Sequence, residues 1–355
     1  MVAQRWRSLR AVAAFVSNYS SRHELFSPTT ESKWILACLS SSQQRLIHSS
    51  ILHHMRETDD RVERHMLGKG VVNLGAERGA ISVQGENTLG FLQNLVTQDT
   101  SALSETKPSI YCHMLNSKGR FMYDVFLHRI SADHVVVDVA QQRKDSLVKV
   151  LKMYSLRSSV RIKDESDRYT VMVVFGDSGK GFCEDARLGS ILGYRGVSVG
   201  TLDSSEDTAI PVSDYTKLRI SLGVAEGPEE IPEGSVPLEY NLDGLNGISF
   251  SKGCYIGQEL MARTHYQGQI RKRIMPFEIC GGEDISIGDD IVDVESKKKV
   301  GSVRSACVGG VGLALIRTAS VLQDGTAFVK NVQIEASGAS IQPYVPSWWP
   351  SSYLA

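Results

Sequence analysis

Phe250-Ser251-Lys252-Gly253-Cys254-Tyr255-Ile256-Gly257-Gln258-Glu259-Leu260-Met261-Ala262-Arg263 is the most informative run in the chain. Gly253 and Gly257 admit backbone conformations barred to residues with a Cβ. They bracket a tight turn, after which residues 258–265 read as a short helix. A thiol just ahead of a helix meets unpaired N–H groups, and Lys252 stands two residues away. Both favour thiolate over the pKa of about 8.5 of a free cysteine. Thiolate is the form that ligates metals or attacks electrophiles. Arg263, His265, Arg271, Lys272 and Arg273 add a cationic surplus suited to an anionic ligand. Spacing alone leaves a second reading open, in which Cys254 is a small residue in a glycine turn.

Toward the N-terminus, folded signals begin near Lys69. Residues 71–74 and 80–83 read as strands around a turn at Glu77-Arg78-Gly79. Residues 86–96 read as a helix with Leu89, Phe91, Leu92, Leu95 and Val96 on one face. Residues 110–115 and 121–129 form a hairpin across Asn116-Ser117-Lys118-Gly119, where Gly119 supplies a positive φ. Residues 135–139 are a strand, and 142–156 a helix with Leu147, Val150, Leu151 and Tyr154 inward. Strands at 160–162 and 170–175 follow. The class is α+β with antiparallel hairpins, not a repeated βα unit. Toward the C-terminus, short glycine-broken strands at 274–280, 290–294, 299–307, 311–316 and 326–335 predict a small barrel or sandwich beyond residue 270. The tail Pro343-Tyr344-Val345-Pro346-Ser347-Trp348-Trp349-Pro350 reads as packing that docks back on the body, or as a partner-binding motif.

Apolar residues make up 42% of the 355, and charged residues 22%. That balance excludes a disordered or fibrous chain, and the length suits about two to three domains. A formal charge of −1 gives no global field for nucleic acid or anionic lipid. Apolar runs fall short of the ~20 residues of a membrane span. Neither nucleic acid nor membrane is therefore expected as a partner. The cysteines never approach a CxxC spacing and read as reduced thiols. Gly176-Asp177-Ser178-Gly179-Lys180 misses the phosphate-loop spacing, Gly309-Gly310-Val311-Gly312 is no dinucleotide fingerprint, and GxSxG and HExxH are absent. Residues 1–23 carry Arg5, Arg7, Arg10 and Arg22 without an acid, and Trp6, Leu9, Ala13 and Val16 recur at helical spacing. This is the composition of an organellar transit peptide, and the apolar run 11–16 is shorter than the about 7 to 15 residues of a secretory core. Residues 24–67, with serine runs and His48, His53, His54 and His65, read as a linker or extended presequence.

Lys-Gly-Cys-Tyr-x-Gly-Gln-Glu at 252–259, followed by Ala262-Arg263, resembles the signature of the YgfZ-type folate-binding family. That family is related to the glycine-cleavage T-protein, an aminomethyltransferase. The likeness spans about residues 70–350, through Asp214-Tyr215, Arg219, Gly223-Val224-Ala225-Glu226-Gly227, Pro237-Leu238-Glu239, Asn246-Gly247-Ile248-Ser249-Phe250 and Arg271-Lys272-Arg273. With Trp348-Trp349-Pro350 the chain looks like the family's eukaryotic mitochondrial branch. The resemblance implies a three-lobed, T-protein-like ring of mixed α/β lobes around a folate-sized pocket, with a small C-terminal antiparallel β-barrel. Residues 1–67 would be the mitochondrial presequence and disordered linker, 68–269 the two-lobed folate-binding region, 270–342 the barrel and 343–355 the tail.

The resemblance further implies an iron–sulfur cluster assembly factor of the mitochondrial matrix that supports [4Fe–4S] protein maturation. Cys254 would be its acting thiol and metal ligand. One cysteine cannot hold a cluster alone, so the transient cluster would be shared with an A-type scaffold protein. Asp124, Arg219, Glu239, Lys252, Gln258, Glu259 and Arg263 would meet a cofactor, tetrahydrofolate. Arg219 has a structural alternative, as a buried partner of Asp214 or Glu226. The T-protein carries two acids where this chain keeps only Asp124, and its folate-holding glutamate falls on Ser221. Losing that charged contact removes about 1.5–3 kcal/mol, so weak folate binding and no aminomethyl transfer are expected. The alternative is a tetrahydrofolate-dependent one-carbon (aminomethyl) transferase with Asp124 as general base. N-terminal sequencing of the mature protein is expected to find a new start ahead of Lys69; an intact Met1 would refute the presequence.

Overall fold

The computed structural model describes residues 67–176, 181–200, 208–322 and 330–354. The expected presequence and linker up to residue 66, with their histidines, and the loop 177–180 lie outside the described residues. Two sheets and a closed barrel carry the chain. The five-stranded sheet runs β3-β4-β5-β2-β6, from β2 (Arg78–Gln84), β3 (Ser109–Leu115), β4 (Phe121–Ser131), β5 (His134–Ala140) and β6 (Arg161–Asp164). The four-stranded sheet runs β1-β7-β9-β8, from β1 (Gly70–Asn73), β7 (Tyr169–Phe175), β8 (Cys183–Asp185) and β9 (Gly189–Val199).

The expected turn at 77–79 is not a hairpin. β1 pairs with β7 and β2 with β5, so the chain crosses there from one sheet to the other. Arg78 and Gly79 already belong to β2, because the Arg78 side chain is drawn into buried carboxylates described below. The hairpin β3–β4 forms as expected, with Gly119 at φ +71°. The expected helix over 86–96 is regular only in α1 (Thr88–Gln93). The helix after β5 is α2 (Lys144–Ser155), with Leu147 and Leu151 inward. Tyr154 is not on its core face: the last turn is uncovered, and Met153, Tyr154 and Leu156 are exposed.

Both faces of the five-stranded sheet are buried, which sorts alternate residues into two cores. Cys112, Met114, Tyr123, Val125 and Leu127 share the core of α1 and α2. Tyr111 and Phe126 face the four-stranded sheet and α3 (Val212–Ser221). On that second face Asp138 meets Arg195 from β9, Arg78 bridges Asp124 and Asp138, and Arg187 from the β8–β9 turn joins them through Glu226. Arg78 Nη1 donates to Asp124 Oδ2 at 2.9 Å, and Arg195 Nη2 lies 2.8 Å from Asp138 Oδ2. Arg187 Nη1 reaches Glu226 Oε2 at 2.6 Å and Arg187 Nη2 reaches Asp185 Oδ2 at 2.8 Å. Phe126 lies beneath both, with the Arg195 guanidinium 4.0 Å from its ring centroid.

The barrel closes in the order β10-β13-β12-β11-β14-β15. Its strands are β10 (Lys272–Gly281), β11 (Asp290–Asp293), β12 (Lys299–Val303), β13 (Val311–Arg317), β14 (Val332–Ile334) and β15 (Ser340–Pro343). The tail packs home: Trp349 and Tyr353 are buried in the barrel core. Trp348 Nε1 donates to Leu222 O at 2.7 Å and the Tyr344 hydroxyl to Ser221 O at 2.9 Å.

Removing one member of a buried ion pair strands its partner, at about 3–5 kcal/mol. Arg195→Leu should therefore lower the urea-unfolding free energy by about that amount; a loss under about 1 kcal/mol would show that the network does not hold the sheets. Despite burial, Arg195 and Arg78 hold the Asp138 carboxyl below the usual range, and Arg195, Arg187 and Arg78 do so for Glu226. A lowered folded-state pKa contributes stability above the unfolded value that is lost as pH falls through the folded one. Stability from these two groups should thus decline below about pH 4, and Asp138→Asn should flatten that decline.

Candidate functional site

Two glycines build the platform for Cys254. Gly257, at φ +83°, is the N-cap of α4 (Gln258–Gln267). A Cβ on Gly257 would stand 2.7 Å from Asn116 O and 2.7 Å from Gly119 Cα, while one on Gly119 would stand 2.6 Å from Leu260 Cβ. The tip of the β3–β4 hairpin thus sits backbone-on-backbone against the start of α4. Both residues must be glycine for conformation and for space.

The motif turn is stitched to residues 94–98. Ser249 N–H donates to Thr97 O at 3.0 Å, and Ile256 N–H to Asn94 O at 3.1 Å. Between them the Lys252 ammonium donates to Gln93 O at 2.7 Å, and to Val96 O and Gln98 O at 2.8 Å each. These carbonyls lie where α1 gives way to irregular chain, so the lysine terminates the helix that sequence periodicity extends to 96. Burial pushes the Lys252 pKa down to about 8, and the carbonyls favour the ammonium form. Gly253 and Cys254 are left exposed at the crown of the turn. Phe250 stacks on His265 at 3.7 Å between ring centroids and 14° between planes, which lays the motif's first residues along the end of α4.

The expected site residues fall in three places. At the turn, Gln258 is half-buried and Glu259 and Arg263 are exposed on α4. Lys252 faces inward, and its protons are committed to backbone carbonyls, not to a ligand. Asp124 and Arg219 lie in the interior. Asp124 is 2% exposed against Arg78, and burial pushes its carboxyl up despite that arginine. Arg219 is held by Glu230, at 2.6 and 2.8 Å, and by Val224 O, and Glu226 acts on it at longer range; Asp214 is not among its partners. Glu239 stands apart, half-buried in the one-turn helix Pro237–Tyr240.

This arrangement does not fit a folate in the expected manner. The two central candidates are consumed by internal ion pairs, and the Ser221 hydroxyl donates to Leu218 O at 2.8 Å. Among the described residues no cluster of three or more His, Cys, Asp or Glu side chains could hold a metal, and Cys254, exposed as Cys280 is, has no such cluster around it. Sequence reasoning missed the Arg78, Arg187 and Arg195 network and the Phe250–His265 stack. Arginines isolated among apolar strand residues, Arg78 and Arg195, were its only signal.

Lys252→Met orphans the three carbonyls and should cost about 1.5–3 kcal/mol. Hydrogen exchange at the amides of Ser249 and Ile256 should accelerate with it. Unchanged protection there would show that the lysine does not brace the turn.

Comparison with known proteins agrees with this geometry. Residues 70–181 match the GCVT N-terminal domain, and residues 271–351 match the CAF17 C-terminal beta-barrel domain. The glycine cleavage system aminomethyltransferase T from Bartonella henselae shares the fold, with a TM-score of 0.60 at 13% identity, over 83% of this chain and 90% of that one. The mitochondrial iron–sulfur cluster assembly factor IBA57 homolog of Mycosarcoma maydis is 32% identical over 77% of this chain and 83% of its own. The mitochondrial IBA57 of Mus musculus is 31% identical over 78% and 84%, and that of Homo sapiens 30% over 77% and 84%. With the T-protein fold, the closed barrel and the motif turn all in place, the chain belongs to the IBA57 family of mitochondrial iron–sulfur cluster assembly factors.

Proposed function

We propose that the protein assists iron–sulfur cluster assembly in mitochondria by presenting the Cys254 thiolate to a cluster it shares with an A-type scaffold protein, in support of [4Fe–4S] protein maturation. The observation that carries this reading is an exposed thiol on a turn braced from two sides, with no further ligating cluster among the described residues. Thiolate ligation of iron is ordinary cluster chemistry. The missing ligands must come from another chain, so partner and cluster are required together. The names of the relatives and the acid-free N-terminus both favour mitochondria.

A tetrahydrofolate-dependent transferase needs a free base. Asp124, its only candidate, is buried against Arg78 and moves no proton while so held. Arg219 is likewise held in an ion pair and the Lys252 protons are taken by backbone carbonyls, so binding of that cofactor is not part of the proposed action.

Mixing the protein with an A-type scaffold and a [2Fe–2S] source should give a co-eluting complex with cluster absorbance in the visible. Cys254→Ser, nearly isosteric and exposed, should keep the melting temperature and lose the coloured complex. A serine variant that still forms it, or that restores [4Fe–4S] enzyme activity in depleted cells, removes Cys254 from the role.

A further inference from the structure

A seam runs between the barrel and the β3–β4 hairpin. Its floor is apolar, formed by Phe121, Tyr240, Ile274, Leu313 and Leu315. The hairpin is fastened there by backbone bonds, Phe121 N–H to Ser235 O at 3.0 Å and Gly234 N–H to Phe121 O at 2.9 Å. Glu239 adjoins Tyr240 of the floor, Arg120 adjoins Phe121, and the Arg304 backbone N–H donates to Leu313 O at 2.7 Å; burial raises the Glu239 carboxyl while Lys272, Arg120 and Arg304 lower it. The three cations arrive from separate elements: Lys272 opens β10, Arg120 leads into β4 and Arg304 follows β12. All four side chains are half-buried.

Elsewhere the protein closes its buried arginines with carboxylates. Arg78, Arg187, Arg195, Arg219 and Arg273 each sit in an ion pair. Lys272, Arg120 and Arg304 form no ion pair and no side-chain hydrogen bond among the described residues, and Arg304 Nε is buried without a partner. Three half-buried cations face Glu239 here, and a buried unpaired donor carries a desolvation cost that a ligand would relieve. We propose that this seam is an anion-binding site, in which Arg120, Lys272 and Arg304 hold a doubly charged oxyanion of the phosphate-ester or dicarboxylate class. Glu239 partly balances the cations and repels the anion, so it limits affinity. The site is separate from Cys254 and does not depend on the cluster-sharing reading.

Calorimetry on the full chain tests it, with inorganic phosphate and succinate titrated in turn and sodium chloride at matched ionic strength as control. One dianion should bind saturably and chloride should not; which one binds assigns the source. Arg304→Gln and Lys272→Gln should each weaken binding about tenfold, the equivalent of ~1.4 kcal/mol for one charged contact. Glu239→Gln, nearly isosteric, should tighten it several-fold. That reversal of sign is not expected of a structural residue, and it keeps the test decisive if Arg304→Gln fails to fold. No saturable heat from either dianion, or a Glu239→Gln protein that binds no more tightly than the original, overturns the proposal.

Discussion

Charge that cannot be left alone fixes the centre of this molecule. Arg78, Arg187 and Arg195 share Asp124, Asp138, Asp185 and Glu226 across the space between the two sheets, and every one of these groups is almost out of water. An uncompensated ion in such a place is far more costly than an imperfect apolar contact. The sheets therefore have one relative placement that satisfies all partners. The constraint continues outward. The Glu226 N–H donates to Glu230 Oε2 at 2.8 Å, Glu230 grips Arg219 on α3, and the carbonyls closing α3 receive Tyr344 and Trp348 from the tail. Barrel and sheets are thereby tied to one set of charges.

The same economy appears at the motif turn, where backbone does most of the positioning. Glycine against glycine brings the hairpin to α4, and one lysine gathers the loose carbonyls of a neighbouring helix end. Cys254 gains a fixed location without being covered. A thiol so placed has little backbone freedom left to lose. The chain has the T-protein fold, and the charged groups at its centre hold the structure together; fold and site are separable in widely used folds.

Much of this was legible in the sequence. The hairpin, the barrel strands and the docking tail follow from glycine placement, alternation and aromatic–proline composition. What escaped shares one cause, tertiary capture of a local signal. β9 is broken by Gly189, Gly193 and Gly196 and carries Arg195, so its alternation is hidden until its carboxylate partners are seen. The helix at 86–96 was overextended because Lys252, far along the chain, takes its last carbonyls. Asp124 and Arg219 look like ligand-binding groups in isolation, and only their buried partners reveal otherwise. Cys254 stands out in the sequence because two glycines and a lysine mark its turn.

The barrel has a consequence for how the chain is made. Its closing strand, β15, pairs with β10, the first strand of the barrel, and with β14. Contacts of such sequence separation form late, after the loop-closure entropy has been met. A chain threaded through a membrane N-terminus first would present its sheets before its barrel could seal. Until residue 343 emerged, β10 and β14 would keep open edges of the kind that invite aggregation. The tail that follows β15 then fastens to the end of α3 through Tyr344 and Trp348.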